Sequence, residues 1–211
     1  MTKRCLFFLG ISFLFSCSEE KEISLESFIS EGDVFESGKG LMSLGYGLHP
    51  LEEKSESQKT LLIGVHGSAS RGYEWVYPLQ TLDDPEVLAS FFRWNDRNCP
   101  GPSYDKLKSS IDSMLQINPG LTEVVIVGHS YGALLVSMFS SEWTNQASLS
   151  VHTIAGPLAG ISSINNLCSY SPPTTINNNV EFYEWRTIKE LDVAFKDLDF
   201  DPQVINLPGS N

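Results

Sequence analysis

Residues 124–136 read VVIVGHSYGALLV. An apolar run, a serine with glycine two places to either side, and a second apolar run describe a strand that turns straight into a helix. Such a turn forces its central residue into a strained backbone conformation. It also brings neighbouring chain so close that only small residues fit, which accounts for Gly128, Gly132 and Ala133. Ser130 then stands at the rim of a sheet, with the amides of the first helical turn directed at any negative charge beside it. A serine hydroxyl in that position is a candidate nucleophile, and it needs a base to take its proton.

The elements that must position Ser130 follow from the pattern around it. TLLIGV (60–65) and EVVIVG (123–128) are continuous apolar runs, as expected of strands buried on both faces. VLASFFRW (87–94), SLSVHTIAG (148–156), VEFYEW (180–185) and PQVINL (202–207) complete a set of expected strands. Between them, YEWVYPLQTL (73–82), residues 103–117 and YGALLVSMFSSEW (131–143) read as helices, with a further short helix around 191–198. In 103–117, Leu107, Ile111, Met114 and Leu115 fall on one face, and the Asn-Pro-Gly that follows stops the helix. Strands alternating with helices imply an α/β fold with a parallel sheet covered on both faces, and chemistry where strands end and loops begin. Residues 18–32 are polar and acidic and read as a tether, with an irregular strand expected at 41–46 and a charged loop at 51–59.

Gly128-His129-Ser130-Tyr131-Gly132 in strand–turn–helix context, together with GVHGSASRGYEW (64–75), resembles the α/β-hydrolase family over residues ~60–207. The resemblance implies a mostly parallel sheet with helices on both faces, here lacking the final helix. It implies an esterase- or lipase-like serine hydrolase that acts on a small acyl ester by acyl transfer through Ser130. The backbone N–H groups of Ser68 and Tyr131 would form the oxyanion hole, each typically worth ~3 kcal/mol in the transition state. Asp192, the first aspartate after VEFYEW, would be the triad acid, with Glu190 its near competitor. Tyr73 and Trp75 would lie near the acyl pocket or pack in the core. The family's histidine follows the last strand, but no histidine occurs after His152. The resemblance therefore leaves two readings, a chain short of its triad-histidine region or a complete chain using His66, or another arrangement, as base. A third, from a different class, is an envelope lipoprotein that binds in the hydrolase cleft without catalysis.

The four histidines differ in their prospects. His49 precedes the regular core, His152 sits mid-strand roughly 10 Å below the rim at ~3.3 Å per residue, and His129 leaves the turn in the wrong direction. His66 ends the strand expected beside that of Ser130. Asp197, Asp199 and Asp201 resemble the start of a calcium loop, but Pro202 and Pro208 occupy the places of its required glycine and glutamate. No HExxH, CxxC pair or phosphate-binding loop is present, so no metal or cofactor is expected.

The first residues have a separate character. MTKRCLFFLGISFLFSC combines Lys3 and Arg4 with an apolar run from Cys5 to Phe15, the pattern of a secretory signal. Leu14–Cys17 resembles the lipobox of bacterial lipoprotein precursors, with Phe15 bulkier than the pattern usually has. That resemblance implies a signal peptide over 1–16, lipidation at Cys17 and sorting to the outer membrane, facing the periplasm. A tether and extension (17–56) and the hydrolase domain (57–211) follow. Removing 1–16 takes both of its basic residues, leaving 12 basic against 26 acidic side chains and a formal charge of −14. Such a surface repels phosphate backbones and anionic headgroups. No nucleic-acid partner is expected, and membrane attachment only through a lipid at Cys17. Cys99 and Cys168 either pair in an oxidising envelope or remain two buried thiols.

Overall fold

A computed structural model of the chain describes residues 23–31 and 33–211. The expected signal peptide, Cys17 and part of the expected tether lie outside the described residues.

Five parallel strands form the centre: β2 (Thr60–Val65), β3 (Val87–Arg93), β4 (Glu123–His129), β5 (Ser148–Ile154) and β6 (Val180–Trp185). A short strand, β1 (Gly47–Pro50), runs antiparallel on the outer side of β3, giving the order β1-β3-β2-β4-β5-β6. Strand β4 is central, with Val65 of β2 opposite Gly128 and Ile154 of β5 opposite His129. The carboxyl ends of β2, β4, β5 and β6 therefore share one rim, and the loops leaving them meet there. This is an α/β fold with a mostly parallel sheet, as the alternation of strand and helix patterns implies.

The apolar strand runs are continuous because both faces are packed. Leu61, Ile63, Val65, Val124 and Ile126 point into a core shared with α4 (Pro100–Ile117) and α5 (Tyr131–Ser137). Their neighbours Leu62, Val125 and Val127 point the other way. That second face is covered over β2 and β3 by α3 (Tyr73–Leu82), backed by α1 (Leu25–Glu31) and α2 (Val34–Ser43). Beside α3 an apolar groove of about 360 Å³ remains across β2 to β6, lined by Leu62, Val87, Val125, Val127, Ile154 and Trp185.

Several elements differ from expectation. Residues 25–31, expected within a tether, form α1, whose Leu25 and Phe28 are buried. The strand expected at 41–46 is displaced by α2, and the strand begins at Gly47. Asp33 caps α2 by accepting from Phe35 N and Glu36 N at 2.9 and 3.4 Å. Gly38 and Gly40 weaken the helical pattern in sequence, yet Gly38 is required: a Cβ there would lie 2.4 Å from Tyr73 N. The helix after β4 breaks at Met138 before a short α6 (Phe139–Glu142), and α7 (Ser162–Cys168) occupies the expected loop.

Two corrections concern the last residues. Residues 191–198 form turns after a 3-10 turn (Lys189–Leu191), and 202–207 form no strand. Gln203 explains the second. Its buried side chain accepts from Thr187 N at 2.9 Å and donates to Thr187 O at 3.2 Å, taking the groups a strand would use. The edge of β6 is met instead by Asn211, which donates to Phe182 O and accepts from Glu184 N, both at 2.9 Å.

Alanine usually stabilises a helix by ~1 kcal/mol over glycine, but at Gly38 the sign should reverse. Gly38→Ala is expected to lower stability by about 1–3 kcal/mol through overpacking against the Tyr73 backbone. Gly101→Ala, also helical but with nothing within 4 Å, should be neutral or stabilising; paired urea melts distinguish the two.

Candidate functional site

Ser130 joins β4 to α5 with φ 53° and ψ −118°, a left-handed backbone value unusual for a residue with a side chain. Its surroundings enforce that conformation. Ser130 N donates to Ile154 O at 2.8 Å, fixing the turn against β5. A Cβ at Gly132 would lie 2.5 Å from the carbonyl oxygens of both Val65 and His66, and one at Gly128 would lie 2.7 Å from Gly132 O. Helix α5 thus starts in backbone contact with the end of β2, and the two glycines of the motif are the condition for it. Gly67 passes equally close, its hypothetical Cβ 3.0 Å from Ser130 Cβ. Ala69 and Ala155, in the loops on either side, share the left-handed conformation, with φ 53° and 49°.

A cavity of about 500 Å³ opens at this rim, lined by Ser130 together with Ser68, Tyr131, Arg97 and Asn98. Ser68 and Tyr131, the expected amide donors, are therefore beside the serine. Tyr131 is held by its hydroxyl donating to Asn98 O at 3.1 Å and by its ring packing on Trp94 at 5.2 Å. Disulfide-bonded Cys99 and Cys168 form part of the same wall, settling the open question of their pairing. The cavity's apolar side comes from Pro157, from Ile161, Ile164 and Leu167 at α7, and from Phe195 and Leu198. None of these was singled out in the sequence, where α7 reads as loop. The one available signal was Cys168 itself.

Tyr73 and Trp75 do not line this cavity. Trp75 is buried on the other face of the sheet against Gly64 and Phe91, and Tyr73 packs on Phe35.

His66 is not placed to serve as base. It is wholly buried, and both ring nitrogens are engaged. Nε2 accepts from Arg93 Nη1 at 3.1 Å and Trp94 N at 3.3 Å, which puts the proton on Nδ1, donated to Gly67 O at 2.8 Å. Trp94 Nε1 closes the network on His66 O at 2.9 Å. This histidine fastens the loop after β2 to the end of β3. His49 bonds Gly45 O on the far edge strand, and His152 accepts from Trp185 Nε1 at 3.2 Å while stacked on Tyr183. His129 lines a groove against Trp75 and Leu79, on the face opposite the cavity.

Asp192 lies after β6 at the shared rim, accepting from Thr187 Oγ1 at 2.7 Å and Ala194 N at 2.9 Å. Its charge is felt at His129, together with that of Glu74. Glu190 is exposed in the 3-10 turn. Among the described residues, no side chain hydrogen-bonds Ser130 Oγ, and no cluster of three or more histidine, cysteine or acidic side chains could hold a metal ion. No described helix is long and apolar enough to cross a membrane.

No protein-family model matches the chain, and no curated protein matches it.

Burial lowers the pKa of His66, His129 and His152 below the ordinary value of about 6.5. The unfolded chain then binds more protons than the folded one just below that value. The stabilising contribution is complete above about pH 6.5 and is lost as pH falls beneath it. The urea midpoint should therefore fall between pH 7.5 and pH 5.5. His129→Gln, which removes a ring with no hydrogen bond among the described residues, should leave the midpoint at pH 7.5 nearly unchanged and reduce that fall. An identical fall in the variant would remove His129 from the account.

Proposed function

We propose that the chain is a serine hydrolase of the α/β-hydrolase type, acting on an ester by acyl transfer through Ser130. The observation that carries this reading is the backbone of Ser130. A left-handed serine is held between a central parallel strand and a helix, at the mouth of a cavity, with Gly128 and Gly132 allowing the close backbone approach on either side of it. In this reading Ser130 Oγ attacks the ester carbonyl, and the amides of Ser68 and Tyr131 receive the oxyanion. Hydroxide takes the Ser130 proton as Oγ bonds to the carbonyl carbon; the bond to the alcohol oxygen then breaks, the alkoxide takes a proton from water, and water hydrolyses the acyl–serine bond to release the acid and restore the hydroxyl. In the same reading Asp192, in the loop after β6, would orient the base. On a precursor lipidated at Cys17, the enzyme would work anchored in the bacterial envelope, at the outer membrane facing the periplasm.

The engagement of His66 sets the expected rate. Removing the base from a complete serine triad costs about 10⁶ in turnover and leaves about 10³ to 10⁴ over water. With no side chain among the described residues bonded to Ser130 Oγ, acylation is expected to be slow and to rise with hydroxide. The same observation favours a second reading, a lipoprotein that uses the cleft to bind and does not turn over.

A fluorophosphonate, electrophilic enough to report a weakly activated serine, tests the first reading. Labelling should map to Ser130 by mass spectrometry, proceed faster at pH 9 than at pH 7, and vanish in Ser130→Ala. Prolonged incubation at pH 9 without a label on Ser130 would sink the hydrolase reading and leave the binding one.

A further inference from the structure

Among the described residues, three neighbouring strands of the sheet have one face without a cover. Side chains alternate along a strand. With Val124, Ile126, Leu149, Val151 and Phe182 in the core shared with α4 and α5, their neighbours on β4, β5 and β6 point to the opposite side. There α3 covers β2 and β3, and beyond it the face is open. Ile154 is 37% and Trp185 56% exposed, and Leu82 of α3, which lines the same groove, is 51% exposed. Parallel strands are ordinarily packed on both sides, and a contiguous exposed apolar patch marks a surface that another element covers.

Strand register orders the open face from end to end. At the rim His129, Ile154 and Trp185 lie side by side. In the next row stand Val127, His152 and Tyr183, the last two with rings stacked at 4.6 Å. The far end is polar: Val125 lies beside Ser150 and Glu181, and Glu123 beside Ser148. Glu123 and Glu181 are exposed, and neither pairs with a cation among the described residues. The cations next to this face, Lys59 and Arg186, are taken up by Glu86 at 3.6 Å and Glu184 at 2.7 Å. At the rim, Glu74 lines the adjoining groove, and its charge and that of Asp192 reach His129. An apolar centre is thus bounded by unneutralised acids.

The dimensions fit one helix. From β4 to β6 is two strand spacings, about 10 Å, the diameter of an α-helix, and the strands run about 20 Å, the length of roughly 13 helical residues. A second copy of the chain would set acid against acid, since the formal charge is −12.

We propose that the open face of β4, β5 and β6 is the seat of a basic amphipathic α-helix from a partner protein. Its apolar side lies against Val127, Ile154 and Trp185, and its lysines or arginines meet Glu123 and Glu181. Nothing in this seat depends on the chemistry of Ser130.

A phage library of helix-forming peptides of about 18 residues is selected on the full chain, and the enriched peptides are synthesised and titrated by fluorescence anisotropy. They should carry apolar residues at i, i+3, i+4 and i+7, hold a surplus of lysine and arginine, and gain helical circular dichroism on binding. Trp185→Asp and Glu181→Lys change exposed positions, and circular dichroism checks that each variant keeps its fold. The first should weaken binding about thirtyfold or more, the second about threefold. A twin peptide with glutamate in place of lysine should bind Glu181→Lys better than the unaltered chain. Selection that enriches no peptide, or peptides without the helical period or the basic surplus, overturns the proposal. So does binding that Trp185→Asp leaves unchanged. Sedimentation showing a dimer that Trp185→Asp dissolves gives the face to a second copy, and peptide binding gained only when residues 1–16 are removed gives it to the chain's own start. Either result overturns the proposal as well.

Discussion

The backbone contact between Gly132 and the carbonyls of Val65 and His66 is the constraint on which the rest of the rim depends. Because α5 starts against the end of β2, the chain leaving β4 has no room to unwind gradually. It must turn within one residue, and Ser130 absorbs the turn with φ 53°. The same closeness brings Gly67 against the serine and sends the following loop, with Ser68, along the cavity mouth. A side chain at Gly132 would push helix from strand and relax the serine, so the packing of α5 and the conformation of Ser130 are one requirement.

Fixing the loop after β2 takes a second device. His66 is wholly buried, and a buried charged ring would be costly, so it is kept neutral. Its two nitrogens tie Gly67 on one side to Arg93 and Trp94 on the other. A histidine at a rim invites a catalytic reading, and its value here is geometric. Both ring nitrogens are committed to these partners, none of which is Ser130.

The central part of the fold was legible in the sequence. β2 and β4 are buried on both faces, and uninterrupted apolar runs mean little else; α3 carries its helical pattern from Tyr73 to Leu82 as observed. Ser130 was legible because steric demands at the turn leave glycines at fixed offsets. What could not be read depends on contacts distant in sequence. Gly38 looks like a helix breaker until α3 is placed against it. QVINL looks like a strand until the Gln203 side chain takes the Thr187 backbone groups. The aliphatic wall at Ile161 and Ile164 has no periodicity to announce it, since no described side chain of α7 is buried and the helix is tied by a bond between residues 69 apart. The role of His66 could not be read because strand adjacency shows nearness to the serine and nothing about which partners hold the ring.

The Cys99–Cys168 bond also has a consequence for the unfolded chain. The ring it closes contains β4, Ser130, α5 and β5, the unit that forms the turn and the strand it rests on. Closing a loop of 69 residues removes about 4 kcal/mol of disorder from the denatured ensemble, on the chain-entropy view. That restriction applies to the segment in which β4 must find β5. In a chain that oxidises before it collapses, the search for that pairing is conducted within a covalent circle, while β1 to β3 and β6 remain free to dock afterwards.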